Sequence, residues 1–578
     1  MRLTVDEIVR RAKTGESLAG ADLSEMDLRA LDLSRAQLEG ARLLYTKLAG
    51  ARLAGATLKG AQIAGSDLSG VDLEGADLGG VVALRSQLTG ANLRGVKLEG
   101  AKLVECELGP VELAGANLAG VIFAKSKLGG ARLAGCDLSE ARFDEAVLAG
   151  ADLTGAKLNG ASFTKADLTA VKLDGASIES AIFVQARMVQ AELATAALEG
   201  VVFDGADLRC AKLPRKLAKC FFRNATLTDF DLPEGDARRA ELGGADVGPA
   251  ALEGCDLRFT SFAGVNLRRA HLAGSQLELC NLSGCDLEQA DFKGADLRRA
   301  IMTECKLANT ELTGLDLEMT NLEGADLRGA RLDKARLVMT ELSKADLTDA
   351  DLSGAFLWGA SLTDATLTGT KLARAELKTV NFDDADMRKL PLAGLRLTRC
   401  SFVRANLEGM DLRGCDLTHA DFKEARLIKA DLRDATVKEA SFQTASLELA
   451  DLTGVDGRGA FWGKAKLRSA KLAKAKLRYS TFDEAELDHT VFGDADLRET
   501  RFVKAVAPNA VFIGARMDYA DLSHADLSRA DLRSAKLGSA NLHAIRDEGA
   551  RWEGAITVTA KPTDPLRLKA ENWQPPRR

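Results

Sequence analysis

Residues 21–45 read ADLSEMDLRALDLSRAQLEGARLLY: five consecutive units, each a small or apolar residue, a polar residue, a central Leu, a variable residue and a corner residue. Outward from this stretch, the same period of five runs from Leu18 almost to Thr557. A stripe that recurs every five residues cannot lie on one face of an α-helix, because five steps of about 100° rotate it by roughly 140° from its predecessor. In an extended segment, residues two apart share a face, so Ala21 and Leu23 point inward and Asp22 points out. A turn must then close each unit. Gly50, Gly55, Gly60 and Gly65 occupy the corner, a place that favours positive φ or close backbone approach.

The aromatic residues give the number of sides per coil. Central Phe residues fall at Phe123, Phe143, Phe163, Phe183 and Phe203, and again at Phe382, Phe402, Phe422, Phe442, Phe482 and Phe502 with Trp462 between them, all at a spacing of twenty. Four units of five make one coil, and these rings stack on one side of it at the strand spacing of about 4.8 Å. Of 21 Phe, sixteen are central and thirteen of those share this side, whereas chance would scatter them over four. Between Phe203 and Phe222 the spacing drops to nineteen, which a one-residue deletion beside Pro214 explains. Phe222 and Phe262 keep to the same ladder, so the expectation is one continuous solenoid over 16–557, with a register defect near 213–245. Pro233 and Gly235 suggest a bulged loop there. The body amounts to about 27 coils, or roughly 130 Å at one strand spacing per coil.

The motif A(D/N)Lxx stands verbatim at Ala21-Asp22-Leu23, Ala91-Asn92-Leu93, Ala151-Asp152-Leu153, Ala520-Asp521-Leu522 and Ala525-Asp526-Leu527. On these residues the chain resembles the pentapeptide-repeat family along nearly its whole length. The resemblance implies an all-β fold, a right-handed quadrilateral parallel β-helix with four pentapeptides per coil.

Solenoid ends need covering, because a bare coil offers unpaired strand edges and its apolar interior. Residues 1–15 read as a short helical cap: Thr4 and Glu7 suit a capping box, Val5, Ile8, Val9 and Ala12 give an apolar side, and Gly15 ends it. The tail, 558–578, loses the repeat and carries Leu566, Leu568 and Trp573 among prolines. Two readings fit it: folding back over the last coil, or leaving that coil free to form a homodimer, as some members of the resembled family do.

Bulk composition excludes several classes. Hydrophobic residues make up 46% and charged residues 28%, and a net charge of -6 is close to balance, so no general field points to nucleic acid. The opening MRLTVDEIVRR contains no signal-peptide-length apolar stretch, and nowhere do about 18 apolar residues run together as a membrane span requires. The expectation is a soluble bacterial cytoplasmic protein, and signal-independent secretion is compatible with the same sequence. His271, His419, His489, His524 and His543 all read as outward and scattered, with no metal-ligand spacing. Nine of ten Cys occupy the inward place where Ala is usual and read as small buried residues. Cys285 and Cys305, one coil apart, read as thiols in a reducing compartment. No nucleotide-binding, zinc-protease or hydrolase motif occurs, so neither an enzyme nor a cofactor is expected.

Three surface features stand above the repeat. Phe356 and Trp358 flank the inward Leu357 and should both point out, as a partner-contact patch would. Arg458, Lys464, Lys466, Arg468, Lys471, Lys474, Lys476 and Arg478 form a basic belt around all four sides, followed by an acidic band over Asp483–Glu499 that neutralises it. The outward positions of the Phe side, among them Val82, Ile122, Ile182, Val202, Ile301 and Asn321, carry little charge and suit flat docking. Together these favour a non-enzymatic rigid scaffold that binds a protein partner, with direct nucleic-acid binding disfavoured. One alternative follows from the resemblance: quinolone-resistance members protect type II topoisomerases by mimicking DNA. Here Asp296 and Asp316 are followed on the same side by Arg336, Phe356, Glu376 and Arg396, so no acidic stripe runs unbroken. Another is a secretion-associated protein, because residues 7–34, EIVRRAKTGESLAGADLSEMDLRALDLS, look like the starts of repeat proteins found with type VI secretion systems.

Overall fold

The computed structural model describes residues 3–228 and 230–573. The chain divides into two compact units, Met1–Ala295 and Asp296–Arg578. Both are right-handed quadrilateral β-helices.

In the first unit a helix α1, Val5–Thr14, precedes the coils. The Thr4 side chain accepts from the Glu7 amide at 3.3 Å, Gly15 closes the helix at φ 75°, and Ile8 and Ala12 are buried. The reciprocal half of the expected capping box is absent, because the Glu7 carboxylate is taken by Arg10 and Arg11 at 2.9 and 2.8 Å. Each coil then pairs in parallel with the next at a register of twenty, as β1 (Arg42–Leu44), β2 (Gln62–Ala64), β3 (Val82–Leu84) and β4 (Lys102–Val104) show. A second run joins β5 (Ser177–Glu179) to β6 (Ala197–Glu199). Elsewhere the strands shrink to single ladder pairs such as Asp22↔Arg42 and Arg132↔Asp152. The bonding rule is constant: the central amide donates to the carbonyl nineteen residues on (Leu23 N to Arg42 O, 2.8 Å), and the outward amide reaches back (Arg42 N to Ala21 O, 2.9 Å).

Corners close with a further backbone bond, for example Ala36 N to Leu33 O at 3.1 Å, across a turn whose third residue has positive φ. Gly50, Gly55, Gly60 and Gly65 fill that place at φ 61–67°, as the sequence predicts. Many corners hold other residues instead, such as Lys165 at φ 58°. Where Ser or Thr replaces the inward Ala, its hydroxyl donates to a core carbonyl, of the preceding coil in Thr46 to Leu23 (3.0 Å) and Ser126 to Leu103 (2.6 Å) and of its own coil in Ser275 to Leu272 (2.7 Å), so the polar group is satisfied within the core.

The aromatic ladder is continuous in this unit from Phe123 to Phe222, with centroids 4.9–5.2 Å apart. It passes through the register change: Val202 pairs with Phe221, and Lys216 with Asp236. The register change falls in the shortened segment around Pro214. The expected bulge at Pro233 and Gly235 does not form, because Asp231↔Ala251 and Asp236↔Asp256 keep the ladder. Pro233 occupies the second place of the corner turn, where its fixed φ is suitable.

The second unit repeats the scheme. Its aromatic stack runs from Phe382 to Phe502 through Trp462, with Phe492 and Phe512 on the opposite side meeting it edge-on across the core at 89–90°. The tail forms a second helix, α2 (Pro565–Glu571), which begins at Asp564, whose side chain accepts from the amides of Leu566 and Arg567. Glu571 of this helix contacts His524 and His543, which stand at one corner of the two last coils. The interior of the final coil stays uncovered: the inward Leu542, Ile545 and Trp552 are only half-buried, and the central Thr557 is exposed. Residues 574–578 lie outside the described residues. Among the described residues, no helix is long and apolar enough to cross a membrane.

Candidate functional site

Leu357 is wholly buried, and the alternation of an extended segment throws its neighbours outward: Phe356 is 40% and Trp358 45% exposed. Phe356 sits in the ladder between Arg336 and Glu376, and the Lys378 ammonium lies 5.7 Å from the Trp358 ring centroid. Two residues missed by sequence reasoning extend this surface. Met319 and Met339, twenty apart at the adjoining corner, are 50% and 61% exposed. A Cβ on Gly359, the next residue along that corner, would stand 2.8 Å from the Met339 sulfur, so glycine leaves room for the thioether. The available signal was methionine at corner places where glycine is usual.

Beside Trp358 the ladder is interrupted. Pro391 has no amide hydrogen for the outward position it occupies. Among the described residues, no ladder pair joins Lys371 to residue 391 or Glu376 to Arg396, although Phe356↔Glu376 below and Arg396↔Asp416 above are intact. A shallow depression opens there, lined by Trp358, Arg374, Glu376, Lys378, Leu395 and Arg396. Its rim carries three cations and one acid.

Elsewhere, charge is cancelled locally. A recurring arrangement has an outward Asp accept the amide of the residue two on while that residue, an Arg, returns a two-pronged guanidinium contact, as in Asp27/Arg29, Asp326/Arg328 and Asp411/Arg413. The guanidinium hydrogen bonds hold the carboxyls of Asp27 and Asp411 down at about 2. Most of the basic belt is also neutralised, chiefly by carboxylates on neighbouring coils. Arg458 meets Asp456 at 2.8 Å, Lys464 meets Glu484 at 3.6 Å, Arg468 meets Asp488 at 3.2 Å, Lys471 meets Asp451 at 4.0 Å and Arg478 meets Glu499 at 2.5 Å. Lys466 and Lys476 stand next to Glu486 and Asp496 in the ladder, and Lys474 occupies a corner at φ 58°.

Nine of the ten thiols are made inert by burial, and Cys210 is exposed. Desolvation pushes Cys106, Cys220 and Cys255 up to about 11, and Cys285 and Cys400 up to about 12. The expectation for histidine holds at the exposed His271, His419 and His489 and fails at His543, which is 2% exposed. Its burial accompanies the docking of the tail: Nδ1 accepts the Asp564 amide at 3.1 Å, and Nε2 lies 3.0 Å from Glu571.

No curated protein matches the chain. Among solved structures, the chain is similar to QnrB1, a plasmid-mediated fluoroquinolone resistance protein, at 18% identity over 33% of this chain and 92% of that one, with a TM-score of 0.26. It is also similar to HetL from the cyanobacterium Nostoc sp. Strain PCC 7120, a pentapeptide repeat protein involved in heterocyst differentiation regulation. The identity is 27% over 46% of this chain and 92% of that one, with a TM-score of 0.16. The sequence profile of pentapeptide repeats matches residues 17–43, 45–104, 112–185, 250–438, 465–502 and 509–543. With the four-sided coils, the register of twenty and these matches together, the chain belongs to the pentapeptide-repeat family.

Proposed function

We propose that the chain is a non-enzymatic scaffold that docks a protein partner on the surface formed by Phe356, Trp358, Met319 and Met339 and the depression beside Pro391. The observation that carries this reading is the grouping of two exposed aromatics with two exposed methionines, against a rim of Arg374, Lys378 and Arg396. Aromatic anchors dominate interface energetics, and methionine adapts its shape to a partner. The complementary segment presents apolar side chains flanked by acidic ones. Affinity capture with wild type and with a Phe356→Ser/Trp358→Ser variant tests this: the partner recovered by wild type should fall at least tenfold with the variant, and unchanged recovery removes the patch.

The topoisomerase reading suggested by fluoroquinolone resistance proteins has less support, because paired Asp and Arg residues break up the negative surface that a DNA mimic needs. Inhibition of gyrase supercoiling at micromolar protein would revive it. The uncovered final coil is the proposed joining point for a second copy. A sedimentation mass of a dimer that reverts to monomer on Trp552→Asp would support that, and a wild-type monomer would remove it.

A further inference from the structure

We propose that His524, His543 and Glu571 form a binding site for a divalent transition metal of the zinc class, which fastens α2 to the last coils. One carboxylate oxygen, Glu571 Oε2, lies 3.0 Å from His543 Nε2 and 3.2 Å from His524 Nε2. The donor atoms of all three residues fall within 4.8 Å of one another. A tetrahedral zinc ion with bonds of about 2.0–2.1 Å holds its ligand atoms about 3.3–3.4 Å apart, so these two distances need to lengthen by a few tenths of an ångström, and the two ring nitrogens, within 4.8 Å of each other, need to come to the same separation. The other carboxylate oxygen is engaged: Arg567 Nε donates to Glu571 Oε1 at 2.8 Å, which leaves Oε2 as the single oxygen aimed at both rings. The rings meet edge to face, with centroids 5.3 Å apart and planes at 82°. His543 is buried and His524 is 30% exposed at its side chain, so a metal would be anchored on one side and keep water as a fourth ligand on the other.

His543 also tells what metal binding would change. Its Nδ1 accepts the Asp564 amide, so the neutral ring carries its hydrogen on Nε2 and donates it to Glu571. Coordination through Nε2 needs the other tautomer: the hydrogen moves to Nδ1, the ring stays neutral, and the Asp564 amide turns to water. The start of α2 survives this exchange, because the Asp564 side chain separately accepts from the amides of Leu566 and Arg567. Imidazole nitrogen with one carboxylate oxygen suits zinc, cobalt or nickel, and not calcium or magnesium.

The test uses the untagged full chain, stripped with a chelator and titrated with Zn2+ by calorimetry and with Co2+ by visible absorption. One equivalent should bind with micromolar or tighter affinity, and the Co2+ spectrum should lack a sulfur charge-transfer band. His524→Gln, at a part-exposed site, should weaken binding at least tenfold, as should Glu571→Gln, whereas Cys210→Ser should leave it unchanged. Bound zinc should also slow proteolysis within α2 in wild type and not in Glu571→Gln. Absence of binding, equal affinity in a His524→Gln/Glu571→Gln double variant, or loss of binding only in Cys210→Ser would overturn the assignment.

Discussion

Gly457 and Trp462 fill one layer of the core between them. The indole is wholly buried in the stack between Phe442 and Phe482, and its Cζ2 lies 3.7 Å from the point that a Cβ on Gly457 would occupy. That point is also 2.9 Å from Leu477 Cδ2 and 3.1 Å from Val437 Cγ2, so the central place that elsewhere holds Leu has no room for one here. The indole Nε1 is buried without a hydrogen-bond partner. Gly457→Leu alone should therefore cost about 1–3 kcal/mol through overpacking. Trp462→Phe alone relieves an unpaired donor and opens a void, effects of opposite sign that are each about 1–3 kcal/mol. The double variant restores the common pattern and should be more stable than the sum of the single changes by at least about 1 kcal/mol. Urea denaturation of the four proteins measures this coupling, and additive effects would refute it.

A second expectation concerns the short segment around Pro214. An alanine inserted between Pro214 and Arg215 restores the five-residue unit and should change the melting temperature little. The same insertion between Thr169 and Ala170, inside a regular corner, displaces inward residues to the outside and should lower it sharply. Thermal melts of both insertions against wild type decide the matter.

Thiol chemistry offers a third test. With nine Cys buried and Cys210 exposed, a thiol reagent at neutral pH should label one thiol per native chain and ten after denaturation. Cys210→Ser should abolish the fast native phase. Rapid labelling of several thiols in the native protein would show that the coils open readily.

Acid should release the tail. The His543 hydrogen bond, aided by that of Arg567, holds the Glu571 carboxyl at about 2, below its ordinary 4.5. A group lowered on folding contributes stability that is fully present above its unfolded pKa and is lost as pH falls through the folded one. Docking of α2 should thus weaken between about pH 4.5 and 2. Pepsin, active in this window, should cut within 565–571 progressively faster in wild type, while Glu571→Gln should be cut readily even at the upper end.

The repeat, its four sides and the aromatic stack were legible because each inward place is specified by its own residue and the backbone alternates with period two. The outward direction of Phe356 and Trp358 followed from the same alternation. His543 was misread because its burial comes with a helix that starts more than twenty residues later, and no local pattern announces that contact. The Asp564-Pro565 start of α2 was a readable helix signal, masked by the prolines around it. Pro233 and Pro391 show why proline alone does not locate a defect: the first sits in a turn place that suits its ring, and the second sits where the ladder needs an amide. Whether a missing donor opens a groove depends on which coil lies alongside, and that is fixed only by the pairing.

Phe203 stacks on Phe222 at 5.0 Å although nineteen residues separate them, and every other stacked pair in the two units is twenty apart. Each unit therefore behaves like an indexed shaft. Adding or removing twenty residues would lengthen or shorten it and leave each outward residue on the side it already occupies. Adding five would swing everything downstream by a quarter turn and carry a docking surface such as that of Phe356 and Trp358 to a different side. Growth by whole coils is thus the change in length that preserves which way such a surface faces.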